Sequence, residues 1–409
     1  MEFGQVYKQI RNSGFIKKTD LQYNLRLSKL YGANIYLKRE DQQTTRSFKI
    51  RGAYNKIISN PDVKHVVTCS AGNHAQGVAY TCRELNIKCT IFIPICTPMQ
   101  KQERIIEFGK EYLDLQVIGS NFDESLACAL KFSEENNCMF VHPFNDKDVI
   151  MGQATISHEI LEEIEIDYLI CPVGGGGLIS GQIIYSDHIY STYNIIGVEP
   201  ENADSMKISI NNDMLTKIKD LDTFVDGAAV KIPGDITFNI CNDYDTDIYV
   251  VSNGELCDNI VNLYNYDGII AEPAGALSVT ALRQLADKND IIGKTIVCII
   301  SGGNNDFSRG SEFIEKSLIY HGLIHYYILR FRQGPGALEE FIQNVMSGTG
   351  IDIKLFGYSK KTDKNFGSVL LGIKLKNKDD KTIFEDRLGE NKIKYQYVDP
   401  NNPLFDFIV

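Results

Sequence analysis

The chain has 409 residues, of which 43% are hydrophobic and 23% charged, and its formal net charge is −11. That composition supplies a sizeable core and argues against disorder, the length predicts two or three domains, and the acidic balance argues against nucleic acid as a partner, because a phosphate backbone needs a basic face. The most apolar runs, such as Ile91–Ile95 and Ile296–Ile300, are only strand-sized, so no membrane span is expected. Met1–Gly4 lacks the basic and apolar regions of a signal peptide. The ten cysteines lie between Cys69 and Cys298 with no C-x-x-C pair. This predicts a reduced cytoplasmic protein with single, mostly buried thiols and no metal site of cysteines.

In chain order, Tyr36–Glu40 leads through a polar loop to Ser47-Phe48-Lys49-Ile50-Arg51-Gly52-Ala53, at the start of an expected helix. A lysine held near apolar groups loses its proton easily and can form an imine with an aldehyde; taken on local sequence alone, it reads as a solvated surface lysine. A strand over Val66–Cys69 runs into Ser70-Ala71-Gly72-Asn73-His74-Ala75-Gln76-Gly77, with a helix expected over Ala75–Leu85. Small residues there let the backbone approach a ligand, and amide groups at a helix N-terminus bind a carboxylate, although a plain strand-to-helix turn has the same look. A strand over Cys89–Ile93 and a helix over Asp123–Asn136 follow. The apolar run Tyr168–Val173 then feeds Gly174-Gly175-Gly176-Gly177-Leu178 ahead of a helix from near Ile179. Four successive glycine N–H groups and a helix dipole form a cup for a dianionic phosphate. No Walker A lysine follows, and the G-x-G-x-x-G dinucleotide pattern is absent. Strands over Ile195–Val198 and Thr295–Ile300 complete the series, the latter followed by Ser301-Gly302-Gly303-Asn304-Asn305. A serine at a strand's C-terminal end points into the crevice where α/β proteins bind ligands, although taken alone the segment reads as a plain turn. The alternation predicts an α/β unit with parallel twisted sheets buried on both faces.

The texture changes near residue 322. An alternating strand over Tyr326–Phe331, a Gly334-Pro335-Gly336 turn, a helix over Ala337–Met346, strands over Ile351–Ser359 and Gly367–Leu375, a helix over Asp379–Leu388 and a strand over Ile393–Val398 give the order β-α-β-β-α-β, the ferredoxin-like plan. The expected division is therefore 1–322 and 323–409, with a smaller subdomain of the first part over roughly 51–155.

Together the four motif segments resemble the fold type II pyridoxal-phosphate (PLP) enzymes, specifically threonine and serine dehydratases, over about residues 4–320. The segment after 322 resembles the single ACT-like regulatory domain of short biosynthetic threonine dehydratases. The resemblance implies that Lys49 holds PLP as a Schiff base and acts as the catalytic base. Asn73 would bond the ring's phenolic oxygen, Gly174, Gly175, Gly176, Gly177 and Leu178 would cradle the phosphate, Ser301 would meet the pyridine nitrogen and Phe48 would pack beside the ring. The loop Ser70, Ala71, Gly72, Asn73 and His74 would receive the substrate carboxylate. The implied reaction takes threonine to 2-oxobutanoate and ammonia, the first step of isoleucine biosynthesis. Isoleucine would act as inhibitor and valine as opposing activator, through the Gly334–Leu338 turn, in a homo-oligomer, dimer or tetramer.

Serine racemases share the motifs but carry a serine where this chain has Ala71, which disfavours a second base. Their cation site uses a Glu, a main-chain carbonyl and an Asp; Glu199 and Ala203 match, but the third position is Ser205, so no metal is expected. Glu272, in Ala271-Glu272-Pro273-Ala274-Gly275, reads as structural or as a neighbour of the substrate. Three readings stay open: an allosteric threonine dehydratase, a serine-directed dehydratase or racemase, and a non-catalytic amino-acid sensor.

Overall fold

The computed structural model describes residues 3–358, 365–400, 402 and 405. The chain divides into two compact units, Met1–Phe307 and Ser308–Val409. The helix Gly310–Tyr320 thus groups with the second unit, whereas the change of sequence texture lies at 322/323.

The first unit is built on two sheets. The larger has six strands in the order Leu21–Tyr23, Asn34–Arg39, Thr295–Ile300, Tyr168–Pro172, Asn194–Pro200 and Asp247–Val251. Every pairing is parallel except that of the edge strand Leu21–Tyr23. Thr295–Ile300 lies inside the sheet, and all of it after Thr295 is buried, which is why it reads as a continuous apolar run without alternation. The smaller sheet is wholly parallel, in the order Leu113–Val117, Lys88–Ile93, His65–Cys69, Met139–Phe140. Helices make the crossovers, and each sheet has its own core, one including Val66, Ile91 and Val78, the other Leu169, Val297 and Ile195. The expected helices are found as Asn73–Glu84 and Phe122–Glu135. Several elements carried too little pattern to be expected, among them the two-residue strand Met139–Phe140 and the helix Lys147–Leu161.

The second unit has an antiparallel sheet in the order Asp352–Tyr358, Phe366–Lys374, Ile324–Arg332, Tyr395–Val398. Its core joins Tyr327, Leu329 and Phe331 of one strand face to Phe341, Phe384 and Leu388 of two helices, so the β-α-β-β-α-β order is present. The expected helix Ala337–Met346 is a short α-helix, Ala337–Phe341, continued as a π-turn over Ile342–Met346. Ser359, the expected end of a strand, lies outside the described residues. All ten cysteines are free, and most are buried. Among the described residues no helix is long and apolar enough to cross a membrane.

Candidate active site

All four motif segments meet at the C-terminal ends of parallel strands and line one cavity of about 330 Å³ in the first unit. Such sheets leave backbone amides and loop side chains facing a crevice at that end.

Lys49 is the first residue of the helix Lys49–Ile58. The segment before it is fastened to the Ser301 loop: the Phe48 amide donates to the Ser301 carbonyl (3.1 Å), the Gly303 amide donates to the Arg46 carbonyl (2.9 Å), and Ser47 bridges Gly302. The Lys49 amine donates to the Pro143 carbonyl at 2.9 Å and lies 5.2 Å from the centroid of the Phe48 ring. Burial lowers its pKa to about 8, against the opposing pull of Glu272. A lysine so placed gives up its proton far more easily than a solvated one, as suits an imine-forming amine.

One residue pair further along the same helix, Arg51 is wholly buried between Glu40 and Glu159, at 2.8 Å from each, and Lys38 donates to Glu159 at 2.7 Å. This network ties the lysine-bearing helix to the larger sheet and to the helix Lys147–Leu161.

At the 70–74 loop, a Cβ on Gly72 would meet nothing within 4 Å, so this backbone stands open to the cavity it lines. The Asn73 side chain donates to Glu272 Oε1 at 2.6 Å and accepts from Asn304 Nδ2 at 2.7 Å. Asn304 Nδ2 also donates to the Thr45 carbonyl, which fixes which way both amides face. Burial, followed by Asp226, raises Glu272 to about 7, with Asn73 opposing. His74 Nε2 lies 3.0 Å from the Val141 carbonyl, so it carries the proton; Nδ1 is buried with no partner among the described residues. Burial, followed by Lys49, lowers this ring to about 3, so it is neutral.

The glycine run leaves the strand Tyr168–Pro172 and enters the helix Gly177–His188. Gly176 has φ 89°, a left-handed conformation that favours glycine. A Cβ on Gly175 would sit 2.3 Å from the Phe144 ring, one on Gly177 2.9 Å from Phe144 Cα, and one on Gly174 2.9 Å from Ala228 Cα. The glycines are therefore also demanded by the protein wall behind them, an independent reason for the run. Thr237 Oγ1 donates to the Gly175 carbonyl at 2.6 Å. Among the described residues none accepts from the N–H groups of Gly174 to Gly177, at the positive end of a helix. Leu178 and Ser301 line the same cavity, and Ser301 Oγ donates to the Ala274 carbonyl at 3.3 Å.

An amine that loses its proton easily, a row of unpaired amides and a buried hydroxyl around one cavity fit an aldehyde cofactor with an anionic tail. Glu199, by contrast, accepts from the amides of Met206 and Lys207, both at 2.9 Å, and caps the helix Ser205–Asn211. Pattern reading missed Pro143, Phe144 and Asn304. The first two follow a strand of two residues, too short to announce itself; Asn304 stood in a motif already singled out and lacked only its partners.

A family model described as pyridoxal-phosphate-dependent enzyme matches residues 13–302, and one described as the C-terminal regulatory domain of threonine dehydratase matches residues 315–408. The chain is 46% identical over 396 residues to the biosynthetic L-threonine dehydratase IlvA of Halalkalibacterium halodurans, covering 96% of this chain and 95% of that one. It is 44% identical over 410 residues to the Staphylococcus aureus protein of the same name, covering 98% and 96%. The processed form of threonine deaminase isoform 2 from Solanum lycopersicum superposes with a TM-score of 0.72 at 36% identity, over 77% of this chain and 93% of that one. Maize serine racemase gives 0.69 at 29% identity, over 78% and 97%. The first unit has the fold of a pyridoxal-phosphate-dependent enzyme. The chain belongs to the threonine dehydratase family of such enzymes, with its C-terminal regulatory domain.

Proposed function

We propose that the chain dehydrates and deaminates L-threonine to 2-oxobutanoate and ammonia, with Lys49 as the residue that carries the cofactor. The observation that supports this most is the meeting of the Lys49 amine and the unpaired glycine amides on one cavity. When bound, PLP supplies an electron sink for the bond broken at the substrate's α-carbon. Gly174 to Gly177 and Leu178 would take its phosphate on backbone N–H groups, and Ser301 would offer the pyridine nitrogen a neutral hydroxyl. Lys49 would hold the proton taken from the α-carbon; a site that lowers its pKa to about 8 suits a base near neutral pH. Asn73 keeps one N–H beyond the one used on Glu272, available to the phenolic oxygen. The loop from Ser70 to His74 would bind the substrate carboxylate, where Gly72 leaves room.

We assign the C-terminal unit to feedback control by isoleucine, opposed by valine, and the protein to the cytoplasm as a dimer or tetramer. Serine racemase-like folds superpose almost as well, but Ala71 has no hydroxyl to act as a second base. A 2-oxo acid assay with threonine, with and without isoleucine, tests the whole reading. Lys49→Ala should abolish both turnover and the Schiff-base absorption band. Serine turnover equal to that of threonine would turn the reading toward a serine-directed dehydratase, and D-serine formed from L-serine toward a racemase.

A further inference from the structure

The strand Met139–Phe140 ends in a turn to which the reaction above gives no role. His142 Nδ1 accepts the amide N–H groups of Phe144 (3.3 Å) and Asn145 (2.8 Å). Two backbone donors converge on one ring nitrogen, so that nitrogen carries no proton and the neutral ring is the Nε2–H tautomer. The pattern is that of an Asx-turn, with an imidazole nitrogen in place of the side-chain oxygen.

Closed in this way, the turn presents the Pro143 carbonyl to the Lys49 amine at 2.9 Å. It also places Phe144 directly behind Gly175 and Gly177. The His142 ring stands edge-on to Phe144, with centroids 4.7 Å apart at 88°. Asn145 fixes the turn's far side, donating to Asp235 (2.6 Å) and accepting from the Ile236 amide (3.0 Å). Asp146 caps the next helix by accepting from Asp148 and Val149 amides.

We infer that His142 is a positioning residue whose unprotonated Nδ1 holds the turn that seats both the Lys49 amine and the glycine run, and so sets the span between the two ends of the cofactor site. The inference rests on the proposed roles of Lys49 and Gly174 to Gly177. The charged and titratable groups facing the ring are Lys49, Asp146, Asp235 and His74. Burial and Lys49 lower the ring to about 4 while the two aspartates oppose, so the acceptor form is the neutral-pH form.

Two substitutions separate the acceptor from the ring. His142→Asn keeps a short side-chain acceptor; His142→Phe keeps the ring against Phe144 and removes the acceptor. The readouts are the PLP dissociation constant of the apoprotein, by absorption titration, and the pH midpoint of the Schiff-base band in the loaded protein. His142→Phe should weaken PLP binding about tenfold or more and move the midpoint, while His142→Asn stays within about threefold of wild type. Unchanged binding in His142→Phe, or no rescue by His142→Asn, overturns the inference. Absence of any Schiff-base band in the wild type would instead overturn the reading of Lys49 on which it rests. If His142→Phe does not fold, nitrogen NMR of the wild-type ring decides: an unprotonated Nδ1 between about pH 6 and 8 supports the inference, and a protonated one overturns it.

Discussion

Glu272 and Lys49 sit in one buried site, and burial pushes each toward its neutral form. Glu272 moves from its ordinary 4.5 up to about 7. Between those values the folded chain holds a proton that the unfolded chain has lost. The carboxyl's contribution to stability is therefore full below 4.5 and is lost as pH rises through about 7. The cofactor-free protein should become easier to melt across that window, by at most ~3 kcal/mol from this group, and Glu272→Gln should flatten the slope in thermal melts against pH. Lys49 has the opposite sign, its amine regaining stability as pH climbs from about 8 toward 10.5. Arg51 is a different kind of buried charge, since Glu40 and Glu159 pair with it on both sides. Arg51→Met should destabilise the protein by roughly 3–5 kcal/mol in urea unfolding, because two carboxylates would be left buried beside a single lysine.

The helices Lys49–Ile58 and Lys147–Leu161 touch backbone to backbone. A Cβ on Gly52 would lie 2.7 Å from the Val149 carbonyl oxygen, and one on Gly152 2.6 Å from that of Arg51. Gly152→Ala should therefore force apart the helix that begins with Lys49, costing ~1–3 kcal/mol in urea unfolding and weakening PLP retention at the same time. Lengths and periods made about half of the elements legible from sequence, since strands such as Thr295–Ile300 are continuous apolar runs and the helix Phe122–Glu135 has an acidic first turn. Met139–Phe140 escaped because two residues hold no period, and with it went the turn that meets Lys49. The glycine run was legible as a ligand loop but not as a packing surface, because Phe144 comes from a segment some thirty residues earlier.

At the scale of the whole molecule, two units fold around separate cores, and the proposed regulation needs a ligand on one to change the rate of the other. Gly336, with φ 78°, precedes the helix Ala337–Phe341 in an exposed turn. A β-branched side chain strains that conformation. Gly336→Val should therefore abolish the response to isoleucine while leaving the threonine rate without effector within about twofold of wild type, as paired assays would read.

The amino-acid sequence by itself determined the strands and helices that carry a clear period, the four motif segments and the β-α-β-β-α-β order of the C-terminal part. All of these are local properties, written in periodicity and turn chemistry. Only the tertiary structure decided which polar groups face one another. Lys49 meets Pro143 across 94 positions of chain and Asn73 meets Glu272 across 199, pairings that arise when separate strand ends converge on one cavity. The same docking removes water from Lys49 and Glu272, and that desolvation, which no neighbour in sequence can supply, sets their protonation.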